Sequence, residues 1–176
     1  MELNLSSIAS HLKQSGFEIH LEPPSDAVPF EQLFVSIGSD DQKNERTLQI
    51  RLFSQSIPQG YFEKKSLEPQ YLDFFIALPY EVSETMFGDT ARLTSLINKI
   101  LPLPGFTLSE IDKRLYYRYL YPTCNQTLSS QDLEIILLTL IYQIETYSSS
   151  FEEVAQGKKS YTQVVADAET FSKSLS

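Results

Sequence analysis

Residues able to carry out chemistry are few in this chain. It has two histidines, His11 and His20, one cysteine, Cys124, and no tryptophan. A nucleophilic triad needs a base that accepts a proton near neutral pH, normally histidine. His11 falls on the polar side of a helical pattern and His20 on the polar side of an alternating one, so both read as surface residues. Cys124 follows Pro122 in a loop, with no neighbouring signal for a lowered thiol pKa. Carboxylates are abundant, and a pair of them is enough for acid and base roles. Yet Asp40-Asp41 sits in a turn-rich polar stretch and Glu152-Glu153 at a helix end, where adjacent acids serve solvation. Three imidazole and thiol groups do not fill a four-ligand structural zinc site. The segment Ser39 to Glu45 lacks the aspartate spacing and central glycine of a calcium loop. The six glycines are scattered singly, without a phosphate-binding loop. The expectation is no catalytic residue, no metal and no cofactor.

Composition narrows the partners. The chain has 176 residues and a net charge of -9, from 14 basic and 23 acidic side chains. Nucleic acids and anionic membrane surfaces select for basic patches, so neither is an expected partner. Hydrophobic residues make up 41% and aromatics 12%, enough for a core. No apolar run approaches the roughly 20 residues of a membrane span. Met1-Glu-Leu-Asn-Leu lacks the basic start and apolar stretch of a signal peptide, and a lone cysteine forms no internal disulfide. A cytoplasmic location is expected.

The elements follow from periodicity. Leu5, Ile8, Ala9 and Leu12 keep helical spacing, with Gly16 placed for a left-handed cap. Phe17, Ile19 and Leu21 alternate as a strand ended by Pro23-Pro24. Leu33, Val35 and Ile37, then Leu48, Ile50 and Leu52, predict a hairpin with a polar tip. Leu72, Phe74, Ile76 and Leu78 predict a strand stopped by Pro79. Asp89 or Thr90 caps a helix carrying Leu93, Leu96, Ile97, Ile100 and Leu101. Phe106 and Leu108, then Leu115 to Tyr121, are extended. Ser129 and Asp132 open a long helix with a stripe from Leu133 to Phe151, widened by Ile135, Leu138 and Tyr142, which need a second partner, either another helix, the leading reading, or another subunit. After Gly157, the Ser160/Gln163 capping box opens a tail helix through Tyr161, Val164, Val165, Ala168 and Phe171. The expected fold class is α+β, an antiparallel sheet with helices packed on it. Residues 1–156 are expected to form one domain and residues 157–176 an amphipathic tail.

That order resembles the fold of type III secretion chaperones and the related YbjN-like proteins, small acidic domains that run helix, three strands, helix, two strands, helix. The matching stretches are Leu5 to Leu12, the strands near Leu33, Leu48 and Leu72, Leu93 to Leu101, Phe106 to Tyr121 and Leu133 to Phe151. The strand from Phe17 to Leu21 and the tail after Gly157 depart from the pattern. The resemblance implies a mostly non-enzymatic family in which many members dimerise, and in which the chaperones hold an extended partner segment against apolar patches.

The outer face of the sheet is the strongest functional signal. With the aliphatic rows facing the core, the opposite face carries Phe34, Arg51, Phe53, Phe75, Tyr116, Arg118 and Leu120, alongside Ser36, Gln49, Asp73 and Ala77. A solvated face is normally polar, whereas aromatics and arginine dominate interfaces. Three readings compete: cover by the tail helix or a closing twist, a homodimer contact, or a binding groove. The leading functional expectation is a non-catalytic protein-binding module, chaperone-like or regulatory, whose partner is another protein or a second copy. The competing one is a small enzyme or small-ligand binder using carboxylates and tyrosines in a pocket.

Overall fold

The computed structural model describes residues 1–39, 43–55, 69–123 and 127–174, the side chains of 171–174 excepted. Asp40, Asp41, most of the polar stretch after Ser54, Cys124 and the Phe171 side chain lie outside the described residues. Among those described, the fold is α+β. The elements run α1 (Leu5–Gln14), β1 (Ile19–Glu22), β2 (Gln32–Ser39), β3 (Glu45–Ser54), β4 (Gln70–Glu81), α2 (Phe87–Ile100), β5 (Phe106–Leu108), β6 (Arg114–Thr123), α3 (Ser130–Ala155) and α4 (Tyr161–Ser174). The six strands form one sheet in the order β1-β2-β3-β4-β6-β5, with β1–β2, β2–β3, β3–β4 and β5–β6 antiparallel. None of the described helices is long and apolar enough to cross a membrane.

The chain divides into two compact units, and the division falls within β4, β6 and α3. The first comprises Met1–Ile76 and Arg118–Thr139, the second Ala77–Tyr117 and Leu140–Ser176.

In the first unit, the Asn4 side chain accepts from the Ser7 amide at 2.7 Å and opens α1. Gly16, at φ +90°, closes it. The Phe17 amide bonds back to the Leu12 carbonyl and the Gly16 amide to that of Lys13, a Schellman ending that only a left-handed residue permits. Ile8 and Leu12 are thereby fixed on the inner face, and α1 packs on β1, β2 and β3 over buried Leu33, Val35, Leu48 and Ile50. The β3–β4 register runs from Ser54↔Gln70 to Gln49↔Phe75. His11 is not an idle surface group: its Nε2 lies 2.8 Å from Glu134 Oε1, tying α1 to the start of α3.

In the second unit, Phe106 packs edge-on against Tyr117, ring centres 4.8 Å apart, and against Phe151 at 4.7 Å. The Asn98 side chain donates to the Phe106 carbonyl and accepts from the Gly105 and Phe106 amides, holding β5 to α2. Gly157, at φ +74°, ends α3. The Ser160/Gln163 box then opens α4, with the Ser160 amide 2.7 Å from Gln163 Oε1 and the Gln163 amide 3.3 Å from Ser160 Oγ.

Three sequence expectations are corrected. Pro79 does not stop β4, which continues to Glu81. Pro79 is exposed and lies past the last pair in the β3 register, so its missing N–H costs no bond there. Neither Asp89 nor Thr90 caps α2, which starts at Phe87 after a 3-10 turn at Glu84–Met86. The Thr90 hydroxyl bonds back to the Met86 carbonyl, and Asp89 Oδ2 accepts from the Tyr161 amide at 2.9 Å. Finally, no described helix covers Ile135, Leu138 and Tyr142, which are 63%, 58% and 68% exposed, because α3 turns Leu133, Ile136, Leu137, Leu140 and Ile144 inward on its other side; this overturns the core-filling reading of the three.

Asp89 thus serves the helix that follows α3. Arg92 adds to this, its guanidinium 4.1 Å from the Tyr161 ring centre. Asp89→Ala is expected to cost about 1 kcal/mol, as loss of a helix cap does. Amide exchange over the first turn of α4 should quicken roughly fivefold. Unchanged exchange there would show that the contact does not hold the helix start.

Candidate functional site: a guanidinium pair on an aromatic sheet face

Strand alternation and register assemble the site in the first unit. Arg51 on β3 is the direct partner of Asp73 on β4, with Gln49↔Phe75 and Phe53↔Tyr71 flanking it. The two latter rings stack at 5.5 Å. Phe34 on β2 is paired with Gln49 one strand further out. Arg118 and Leu120 stand two residues apart on β6.

Asp73 is the centre of this face, and it is completely buried. Its Oδ2 receives Arg51 at 2.5 Å and Arg118 at 3.1 Å, while Oδ1 receives Arg118 Nε at 2.9 Å. The Arg118 contact is the two-pronged form that suits a planar guanidinium. The Asp73 carboxylate raises the Arg118 pKa above its ordinary value, with burial pulling the other way. The Arg51 head lies between Phe30 and Phe75, 5.8 and 5.9 Å from their ring centres.

A hollow of about 220 Å³ opens beside this cluster, lined by Phe30, Arg51, Leu52, Phe53, Asp73 and Arg118. Phe30, Phe53 and Leu120 stay open to solvent, at 42%, 37% and 39% exposure. The hollow presents guanidinium donors beside a buried carboxylate and aromatic rings. Asp73 is held as an acceptor by three N–H groups, and two arginines do not exchange protons near neutral pH. A second hollow of about 240 Å³ near β1 is polar, and its Glu18, His20 and Glu45 are exposed.

Of the residues expected from sequence, Arg51, Phe53, Phe75 and Arg118 come together around Asp73. Leu120 lies further along the same strand face as Arg118, and Phe34 borders the second hollow. Tyr116 belongs to the second unit, where its hydroxyl donates to Asp112. Ser109, then Tyr116, hold the Asp112 carboxyl below the usual range, and the bond to Asp112 raises the Tyr116 phenol.

Two participants escaped the sequence reading. Asp73 stood among the outer-face residues without a role, although a lone carboxylate between Leu72 and Phe74 was a usable signal. Phe30 is in phase with Phe34 and Ser36 but lies before β2, outside the alternating run that starts at Leu33. No model of a known protein family matches the chain, and no curated protein matches it in sequence.

Proposed function

We propose that this protein is a non-catalytic binding module for another protein, chaperone-like or regulatory, of the kind the secretion chaperones and YbjN-like proteins form. The observation that carries the reading is the first unit's outer sheet face. Phe30 and Phe53 lie open beside two arginine heads that a buried aspartate holds in place, and exposed Leu120 stands two residues along β6 from Arg118. Such a face has the make-up of an interface centre, with large rings beside arginine. Because the heads are already ordered, a partner docks without the entropy cost of fixing them.

The test is affinity capture from the native lysate with identification by mass spectrometry, repeated with Phe53→Asp. Phe53 is a surface ring, so the variant should fold, losing about 1 kcal/mol with its Tyr71 stack. Partner capture should fall at least thirtyfold, the effect of losing an interface anchor. Leu120→Ser is the second variant and should act in the same direction. Full capture by both folded variants would place the interface elsewhere and refute the proposal.

A further inference from the structure

We infer that the hollow beside Phe30 and Phe53 is an anchor site for a carboxylate side chain with an apolar neighbour, so that the segment docking here is acidic. The inference rests on the docking reading above and names the chemistry of the partner.

Charge is the first argument. Among the described lining residues, Arg51 and Arg118 bring two positive charges and Asp73 one negative, a surplus of one positive charge on an apolar wall of a chain whose net charge is -9. One carboxylate balances that surplus, whereas a phosphate dianion exceeds it. Unused donors are the second. Each guanidinium has five N–H groups, and Asp73 engages three of the ten. The Arg51 and Arg118 side chains remain 27% and 46% exposed, so part of this donor set is open to a docking partner. Size is the third. About 220 Å³ lies below the ~300 Å³ at which small-molecule sites begin, and it suits one side chain of a longer segment. Phe30 and Phe53 then take the apolar neighbour.

The experiment is an NMR titration of the full ¹⁵N-labelled chain with the capped peptide acetyl-Leu-Asp-Phe-Gly-amide. Its asparagine counterpart and sodium phenylacetate are the controls. The acidic peptide should move the Arg51 and Arg118 Nε–Hε signals, and the asparagine peptide should bind about tenfold more weakly, as loss of a charge-assisted bond implies. Arg118→Gln should weaken the acidic peptide by a similar factor, with the amide spectrum away from this face unchanged. Equal binding of both peptides, or shifts confined to other surfaces, overturns the inference. So does phenylacetate binding as tightly as the peptide, which makes this a small-anion site, or a light-scattering mass showing a dimer sealed through this face. If the peptides fail while Phe53→Asp still abolishes partner capture, the docking face stands and only the acidic anchor falls. If Phe53→Asp leaves capture intact, the docking reading itself falls.

Discussion

Replacing Asp73 with asparagine is expected to destabilise the protein by about 3 kcal/mol, read as a lower urea midpoint. The variant keeps the size of the side chain and changes only its charge and one donor. The amide oxygen still accepts from one arginine, but the new NH₂ group faces guanidinium N–H groups, donor against donor. Two positive charges are left side by side at a position that is fully buried in the native protein. Removing one member of a buried ion cluster costs about 3–5 kcal/mol. Arg51 and Arg118 keep 27% and 46% of their side chains exposed and recover some hydration, which sets the value at the lower end. The loss should persist in high salt, because buried charges are screened little. Arg118→Met should cost less, since Asp73 then still has Arg51. Replacing all three with apolar residues of similar size should restore most of the stability. A cost of Asp73→Asn below about 1 kcal/mol would show that the carboxylate does not hold the two heads. The anchor proposed above would then lose its preformed geometry.

The same cluster marks where sequence reading succeeds and where it stops. Gly16, Gly157 and the Ser160/Gln163 box were legible because a helix end is decided by residues within one turn. The outer-face rows of β3 and β4 were legible because side chains alternate with a period of two. What the period does not contain is the register. Arg51 meets Asp73 only because Ser54 pairs with Gln70, and no local signal sets that across the intervening segment. Hence the sequence places Asp73 on the outer face and assigns it no partner. Asp89 failed for a related reason: its sequence position suits its own helix, but its carboxylate serves Tyr161, 72 residues away. Pro79 shows the converse, since proline's cost depends on whether a neighbouring strand needs its N–H. The wide apolar arc of α3 was legible, whereas the exposure of Ile135, Leu138 and Tyr142 was not. An arc gives the number of apolar positions and does not give how many of them find a neighbour.

Phe151→Ala is expected to have the largest effect on stability of any single change considered, about 4 kcal/mol. Phe151 is completely buried, and its ring lies 4.7 Å from Phe106, which in turn meets Tyr117 edge-on. Truncation removes the transfer energy of the ring and leaves a cavity in the second unit. It also breaks one aromatic pair, worth about 1 kcal/mol beyond its area. The cavity closes poorly, because β5 is held on the other side by the three bonds of Asn98. The Tyr117 hydroxyl, bonded to the Leu103 carbonyl and 2.7 Å from Gln143 Oε1, resists inward movement of β6. With no tryptophan in the chain, the near-ultraviolet dichroism of its tyrosines and phenylalanines reports the packing. That signal should weaken while the far-ultraviolet helix signal persists at low denaturant. Phe151→Leu keeps most of the volume and should cost under about 1.5 kcal/mol. A double-mutant cycle with Phe106→Ala then isolates the ring pair. Coupling near 1 kcal/mol is the expected value, and purely additive losses would show that Phe151 acts by filling volume alone.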